Sequence, residues 1–156
     1  MTAHHAATDH GPALFVRLTP GTDLISGIEE VCREREIRSG AIVSCIASLR
    51  RASFFVVVPM ANAAGGGYSD PVHLESPVEI VSASGSIGTE EDGTLFVHLH
   101  AAVADSQGRA HGGHILRGRC PILVTSEIVI LPFTDLRLVR SHDPEAGMPV
   151  LKPIVK

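Results

Sequence analysis

A strict alternation of side chains over residues 94–104 constrains the fold of this chain more than any other feature. Apolar residues occupy every second position from Leu95 to Val103, and the positions between them hold His98 and His100 beside small residues. Because successive side chains of a strand point to opposite faces, the pattern predicts a strand with one face in the core. Both imidazoles then lie on the other face and can converge on one point.

A third histidine, His114, follows a turn of polar and glycine residues at positions 105–108 and can fold back toward His98 and His100. Three convergent imidazoles with an open fourth position are the usual arrangement of a catalytic zinc site. The alternative is three unrelated polar histidines, because a chain with nine histidines produces a His-x-His spacing easily by chance. Spacing alone leaves both interpretations open.

The remaining periodicities predict an α+β domain. Apolar residues at helical spacing over residues 24–32 predict one main helix, with Thr22 as its N-cap and Glu29 on its solvated face. Residues 114–116 are expected to form a short second helix. Runs rich in β-branched and small residues predict about seven to eight strands in a largely antiparallel sheet. They lie at residues 14–18, 41–49, 52–58, 78–87, 94–104, 121–131 and 133–140, with a loop at 59–71.

The size and composition fit a single domain. The chain has 156 residues, of which 44% are hydrophobic, and this suffices for one core. We expect a flexible N-terminal tail at residues 1–12, a folded domain at 13–140 and an extended C-terminal tail at 141–156. That tail would pack on the body or on a neighbouring subunit. His4, His5 and His10 could bind metal weakly, but a disordered tail is the favoured interpretation.

Cysteine usage and hydropathy bear on location. Cys32, Cys45 and Cys120 form no Cys-x-x-Cys pair, so we interpret them as reduced, buried and structural, which favours the cytoplasm. No apolar run approaches the length of a membrane span, and residues 1–11 lack the apolar core of a signal peptide. The net charge of −4 argues against a broadly basic nucleic-acid surface.

The segments around the three histidines resemble the signature of the plants-and-prokaryotes-conserved (PPC) domain. The similarity is most specific at residues 96–105 (FVHLHAAVAD) and 112–116 (GGHIL), and it extends more weakly through residues 18–24, 39–50 and 125–129. It covers residues 14–140. One departure is Ala47, where the family often has glycine. The resemblance implies one large antiparallel sheet with flanking helices, assembled as a homotrimer.

The same resemblance implies a DNA-binding or regulatory role, through the plant members of the family. Those members carry an AT-hook arm outside the domain. Here Arg117-Gly118-Arg119 is similar to an AT-hook core, but Cys120 interrupts it and it lies inside the folded region, so we interpret it as a turn. The alternative function is a metal-dependent enzyme, a lyase or hydrolase acting on a small molecule. The histidine spacing alone is also similar to that of α-acetolactate decarboxylase, a zinc lyase with three histidine ligands.

These arguments give a set of candidate site residues. His98, His100 and His114 are predicted to bind one divalent ion near a subunit boundary; zinc is expected, and nickel, cobalt or manganese could substitute. Glu127 is the only charged residue in the run 122–131. It is interpreted either as a group beside the metal, which supports a metal ligand or moves a proton, or as an edge-strand or subunit-interface carboxylate paired with an arginine.

Arg50 and Arg51 give one further candidate for ligand binding. Either could clamp a substrate carboxylate, although a solvated strand end is the favoured interpretation of the pair.

Overall fold

The computed structural model describes residues 8–61 and 64–155, and within them one helix packs against a large, mostly antiparallel sheet. The elements in chain order are β1 (Leu14–Val16), α1 (Leu24–Glu34), β2 (Gly40–Leu49), β3 (Ala52–Phe55), β4 (Val57–Pro59), β5 (Gly66–Tyr68), β6 (Val72–Leu74), β7 (Val78–Glu90), β8 (Leu95–Ala104), β9 (Ala110–Ile115), β10 (Ile122–Pro132), β11 (Leu136–Asp143) and β12 (Met148–Val155). The α+β class and the antiparallel character are confirmed.

The sheet has ten strands, eight of them in the order β1-β10-β2-β7-β8-β9-β3-β6. β11 joins this path through a short parallel pairing with β7, and it pairs antiparallel with β12 along its whole length. β4 and β5 form a separate hairpin. The strand that carries His98 and His100 therefore lies near the middle of the sheet, between β7 and β9.

One face of the sheet carries the core. Leu99, Ile128 and Ile130 are fully buried there, together with Leu24 and Ile28 of α1. The N-cap of α1 is Asp23 rather than the expected Thr22, because the Asp23 carboxylate accepts hydrogen bonds from the backbone N–H groups of both Ser26 and Cys120. Asp23 therefore caps the helix and also ties it to the turn before β10.

The strand count of about seven to eight was too low, since the described residues contain twelve strands. β6 has only three residues and follows the predicted loop, whereas β5, Gly66–Tyr68, lies inside that loop and β12 contains two prolines. Glycine and proline are depleted in strands in general, so β5 and β12 carry little propensity signal, and β6 is too short to show an alternation. Residues 148–155, where an extended tail was expected, pair with β11.

The short helix expected at residues 114–116 was also wrong. His114 and Ile115 end β9, and α1 is the only helix among the described residues. Pairing with β3 and β8 overrides the local pattern here, because both neighbours offer backbone hydrogen-bonding partners. No helix in the described part of the chain has the length and apolarity needed to cross a membrane.

The N-terminal end of the described region lies beside the end of β10. His10 forms an isolated bridge with Phe133, and the Gly11 N–H donates to the Pro132 carbonyl. His4 and His5 lie outside the described residues.

Candidate metal centre

Strand β8 presents His98 and His100 on the face of the sheet opposite the core. Its burial alternates as the sequence predicts: Val97, Leu99 and Ala101 are buried, whereas His98 is half-buried and His100 is exposed. The Nε2 atoms of the two imidazoles lie 3.1 Å apart. Alternation along one strand therefore brings the two side chains together without help from any other element.

The third imidazole comes from the neighbouring strand. In the β8–β9 ladder His114 lies directly opposite His100, and Gly113 lies opposite Ala101. Side chains that face each other across an antiparallel pair have neighbouring Cβ atoms and lie on the same face of the sheet. A register fixed by the Asp105–Arg109 turn thus adds His114 to the pair on β8.

Two glycines let β9 approach its neighbours closely. A Cβ built on Gly113 would lie 2.1 Å from the Phe55 carbonyl oxygen, and one on Gly112 would lie 2.5 Å from the Ala101 carbonyl oxygen. A side chain at either position would push β9 away from β3 or β8. Because these two positions are glycines, β9 can lie close enough to β3 and β8 for His114 to reach the other two histidines.

The three side chains fit a single metal ion. One nitrogen of each imidazole lies within 4.8 Å of the others. Tetrahedral zinc with nitrogen ligands at 2.0–2.1 Å requires ligand separations of about 3.3 Å. The His98–His100 pair already meets this requirement at 3.1 Å. The nitrogen of His114 lies within 4.8 Å of the other two and would have to move closer to bind the same ion.

The electrostatics of the cluster also suit a metal, which requires neutral imidazoles. Burial, together with the smaller electrostatic effects of His98, His100 and Arg140, lowers the pKa of His114 to about 4. Burial also lowers the pKa of His98, with added contributions from His100 and Arg140. These two rings are therefore neutral at pH 7 and offer lone pairs to a cation.

Aromatic side chains lie beside two of the three histidines, His114 and His98. The Tyr68 hydroxyl lies 3.4 Å from His114 Nδ1, which leaves Nε2 to face a metal. Phe55 stacks on Tyr68 with a centroid separation of 5.3 Å, and the ring of Phe96 lies 6.3 Å from that of His98. The hydrogen bond of a ligating histidine through its other nitrogen orients the ring, so Tyr68 is the residue that positions His114.

A cavity of about 540 Å³ opens beside the histidines. Its lining includes His98, His114, the aromatic residues just described, Arg140 from β11 and residues 148–151 from β12. This volume is typical of sites for small molecules. None of Tyr68, Arg140 or β12 was singled out from the sequence, because each approaches the histidines only through long-range strand pairing.

The structure does not bring Glu127 together with the three histidines. Glu127 is exposed on β10 and pairs with Ile46 of β2. Strands β2 and β7 separate β10 from β8, which corresponds to about 14 Å at the usual spacing of neighbouring strands. Arg50 and Arg51 are exposed at the turn between β2 and β3, and neither lines the cavity.

Several other polar residues have structural partners. His111 is half-buried on β9, with its Nε2 atom 3.0 Å from Asp105 Oδ2. Glu29, expected on the solvated face of α1, is buried, and its carboxylate accepts a hydrogen bond of 2.8 Å from Arg117 Nε. Arg117 is thereby fixed on the folded body, in the turn before β10, and does not form a free arm.

Comparison with known proteins identifies the kind of domain that this fold and site define. The model of the Plants and Prokaryotes Conserved (PCC) domain, the family abbreviated PPC above, matches residues 6–134. The chain belongs to this family.

Three individual relatives add detail. The bifunctional protein GlmU of Synechococcus sp. (strain JA-3-3Ab) is 36% identical over 132 residues; the match covers 85% of this chain but only 19% of that protein. The metal-containing protein AF0104 of Archaeoglobus fulgidus has 25% identity and a TM-score of 0.79, over 97% of this chain and 99% of that one. A proposed DNA-binding protein of Ralstonia eutropha JMP134 has 25% identity and a TM-score of 0.70, over 88% of each chain.

Proposed function

We propose that this chain is a metal-binding PCC-domain protein in which His98, His100 and His114 hold one divalent ion that acts on a small molecule. The observation that carries the proposal is the convergence of three imidazoles beside a cavity of about 540 Å³. A similar fold occurs in a protein described as metal-containing. Zinc is the ion that three nitrogen ligands with an open position favour.

The chemistry of such a site follows from its ligand set. Three neutral imidazoles leave the full positive charge on the ion, and the cavity gives a small molecule access to it. An ion bound there would polarise a carbonyl oxygen or acidify a water molecule, which suits a lyase or a hydrolase. The proposal assigns no proton transfer to Glu127, given its place three strands from β8.

Metal analysis of untagged protein tests this proposal. We expect about one metal per chain by elemental analysis, lost in both the His98→Ala and the His100→Ala variants. His142→Ala is the matched control, because His142 is exposed on β11 and does not belong to the cluster. Wild-type protein that takes up no stoichiometric zinc, or loss of metal in the His142 variant as well, would contradict the proposal.

DNA binding is the second candidate function, favoured by the likeness to the proposed DNA-binding protein of Ralstonia eutropha. It predicts affinity for an A·T-rich duplex that falls steeply with salt, because phosphate contacts release counterions. The net charge of −4 and the engagement of Arg117 by Glu29 weigh against it. An electrophoretic shift assay at low salt tests DNA binding. If the protein does not shift the duplex, this candidate function is excluded.

We also propose that the chain assembles as a homotrimer. The face of the sheet that carries the histidines also exposes Phe15 at 68%, Ile46 at 47% and Val81 at 61% of their surface. A run of exposed apolar residues over neighbouring strands is typical of an interface. Light scattering of the wild type and of an Ile46→Glu, Val81→Glu double variant tests this assembly; a wild-type monomer at micromolar concentration excludes it.

The cytoplasmic location also stays a prediction.

A further inference from the structure

The cavity beside the histidines holds a cationic side chain that the metal site itself does not use. Arg140 reaches it from β11, and the centre of its guanidinium lies 4.6 Å above the ring of Phe96. Its Nη1 atom donates a hydrogen bond of 2.9 Å to Glu90 Oε1. A guanidinium has five N–H donors, so one contact with a carboxylate leaves further donors for a ligand. Stacking and pairing thus hold Arg140 in a fixed position with donors to spare.

The charge of this cavity selects for anions. Among the described residues that line it there is no carboxylate. Arg140 lines the same cavity as His98 and His114. With a divalent ion on the histidines, two centres of positive charge would face the same space, and Glu90 offsets only one unit. A neutral or cationic ligand would leave this field uncompensated.

The rest of the lining is apolar. Phe55 and Tyr68 provide stacked rings on one side, and β12 contributes Met148 and Leu151 together with the residues between them. Flat aromatic and branched aliphatic walls of this kind bind an apolar group of comparable size. A free inorganic anion would contact none of these surfaces.

We propose that the cavity binds a small organic carboxylate, with its anionic end between Arg140 and the metal and its apolar end against Phe55 and Tyr68. This inference rests on the proposed metal site and adds the chemical class of its ligand. Arg140 would act as a binding residue, since a guanidinium recognises a carboxylate through parallel N–H donors. The carboxylate clamp that the sequence suggested for Arg50 and Arg51 is thus assigned to an arginine on another strand.

The test uses cobalt-substituted protein, in which the visible absorption of Co²⁺ reports any change at the metal. Phenylacetate is the probe, compared with acetate, which lacks the apolar group, and with 2-phenylethanol, which lacks the charge. We expect phenylacetate to change the cobalt spectrum and to bind at least about tenfold more tightly than either analogue. This comparison needs no variant and therefore no refolding control.

Two variants then test the role of Arg140. Arg140→Gln should keep its cobalt and weaken phenylacetate binding about tenfold or more, because a charge-assisted contact is lost. Arg137→Gln is the matched control: Arg137 is exposed on the same strand and does not line the cavity. It should bind phenylacetate as the wild type does.

The outcomes separate this inference from the proposed function. Wild-type protein that takes up no cobalt overturns both. Cobalt uptake with no response to phenylacetate, or with equal affinity for 2-phenylethanol, overturns the carboxylate class alone and leaves the metal site standing. Equal weakening in the Arg137 and Arg140 variants overturns the assignment to Arg140.

Discussion

The close approach of β9 to β3 makes Gly113→Ala the most informative single substitution. The added Cβ would lie 2.1 Å from the Phe55 carbonyl oxygen and 2.9 Å from Phe54 Cδ2, and the first of these atoms belongs to the backbone. Because a Cβ atom keeps at least about 3 Å from such an oxygen, the two strands must separate by roughly 1 Å. This separation would disturb the pairing of Phe55 with His114, the third metal ligand, which follows Gly113 in the chain.

The cost follows from two contributions. Overpacking against a backbone that cannot rotate away costs about 1–3 kcal/mol, and a weakened backbone hydrogen bond adds about 1 kcal/mol. A loss of about 3 kcal/mol lowers the melting temperature of a domain of this size by about 6–12 °C. Displacement of His114 should weaken zinc binding roughly 10–100-fold, the range found when the orientation of a ligand is disturbed.

Thermal unfolding of metal-free protein measures the first effect, and a competition titration with a chromophoric zinc chelator under native conditions measures the second. Gly11→Ala is the control, since its nearest neighbour, Thr134 Cγ2, would lie at an ordinary 3.8 Å. It should change stability by less than about 0.5 kcal/mol. Wild-type melting temperature and zinc affinity in the Gly113 variant would refute the argument that close strand approach positions His114.

Three further predictions concern the body of the fold. Asp105→Asn should destabilise the β8–β9 connection at pH 7, because hydrogen bonds from the His111 side chain and the neighbouring backbone lower the pKa of Asp105. The stabilisation by the ionised carboxylate exists above about pH 4 and is lost as the pH falls. The difference in melting temperature between the variant and the wild type should therefore disappear in acid. Leu99→Ala should cost about 2–5 kcal/mol in denaturant unfolding yet keep the metal, because Leu99 is fully buried on the opposite face of β8 from the imidazoles. Burial raises the thiol pKa values to about 11 or 12, so iodoacetamide at pH 8 should label the native protein at none of its three cysteines and label all three after unfolding; they are Cys32, Cys45 and Cys120.

Local patterns in the sequence were sufficient to predict one part of the site. Alternation alone predicted the face on which His98 and His100 lie. His114 was associated with them correctly, although on the wrong element. Gly112 and Gly113 have low strand propensity, and only the close approach of neighbouring strands gives them a reason to be extended.

Other parts depend on pairings between distant residues that no local pattern contains. Glu29 resembles any charged residue on a helix surface, and only the fold brings Arg117 against it and buries it. Arg140 and Tyr68 reach the cavity from strands far apart in the chain. Side chains of this kind have no periodicity of their own, since their role is fixed by what the sheet topology places beside them.

X-ray absorption at the zinc edge of the loaded, untagged protein tests the central claim most directly. The account predicts one zinc per chain with nitrogen or oxygen neighbours at about 2.0–2.1 Å and outer-shell scattering from three imidazoles, reduced to two in His114→Ala. A zinc environment with sulfur neighbours, or with fewer than three imidazoles in the wild type, would contradict it.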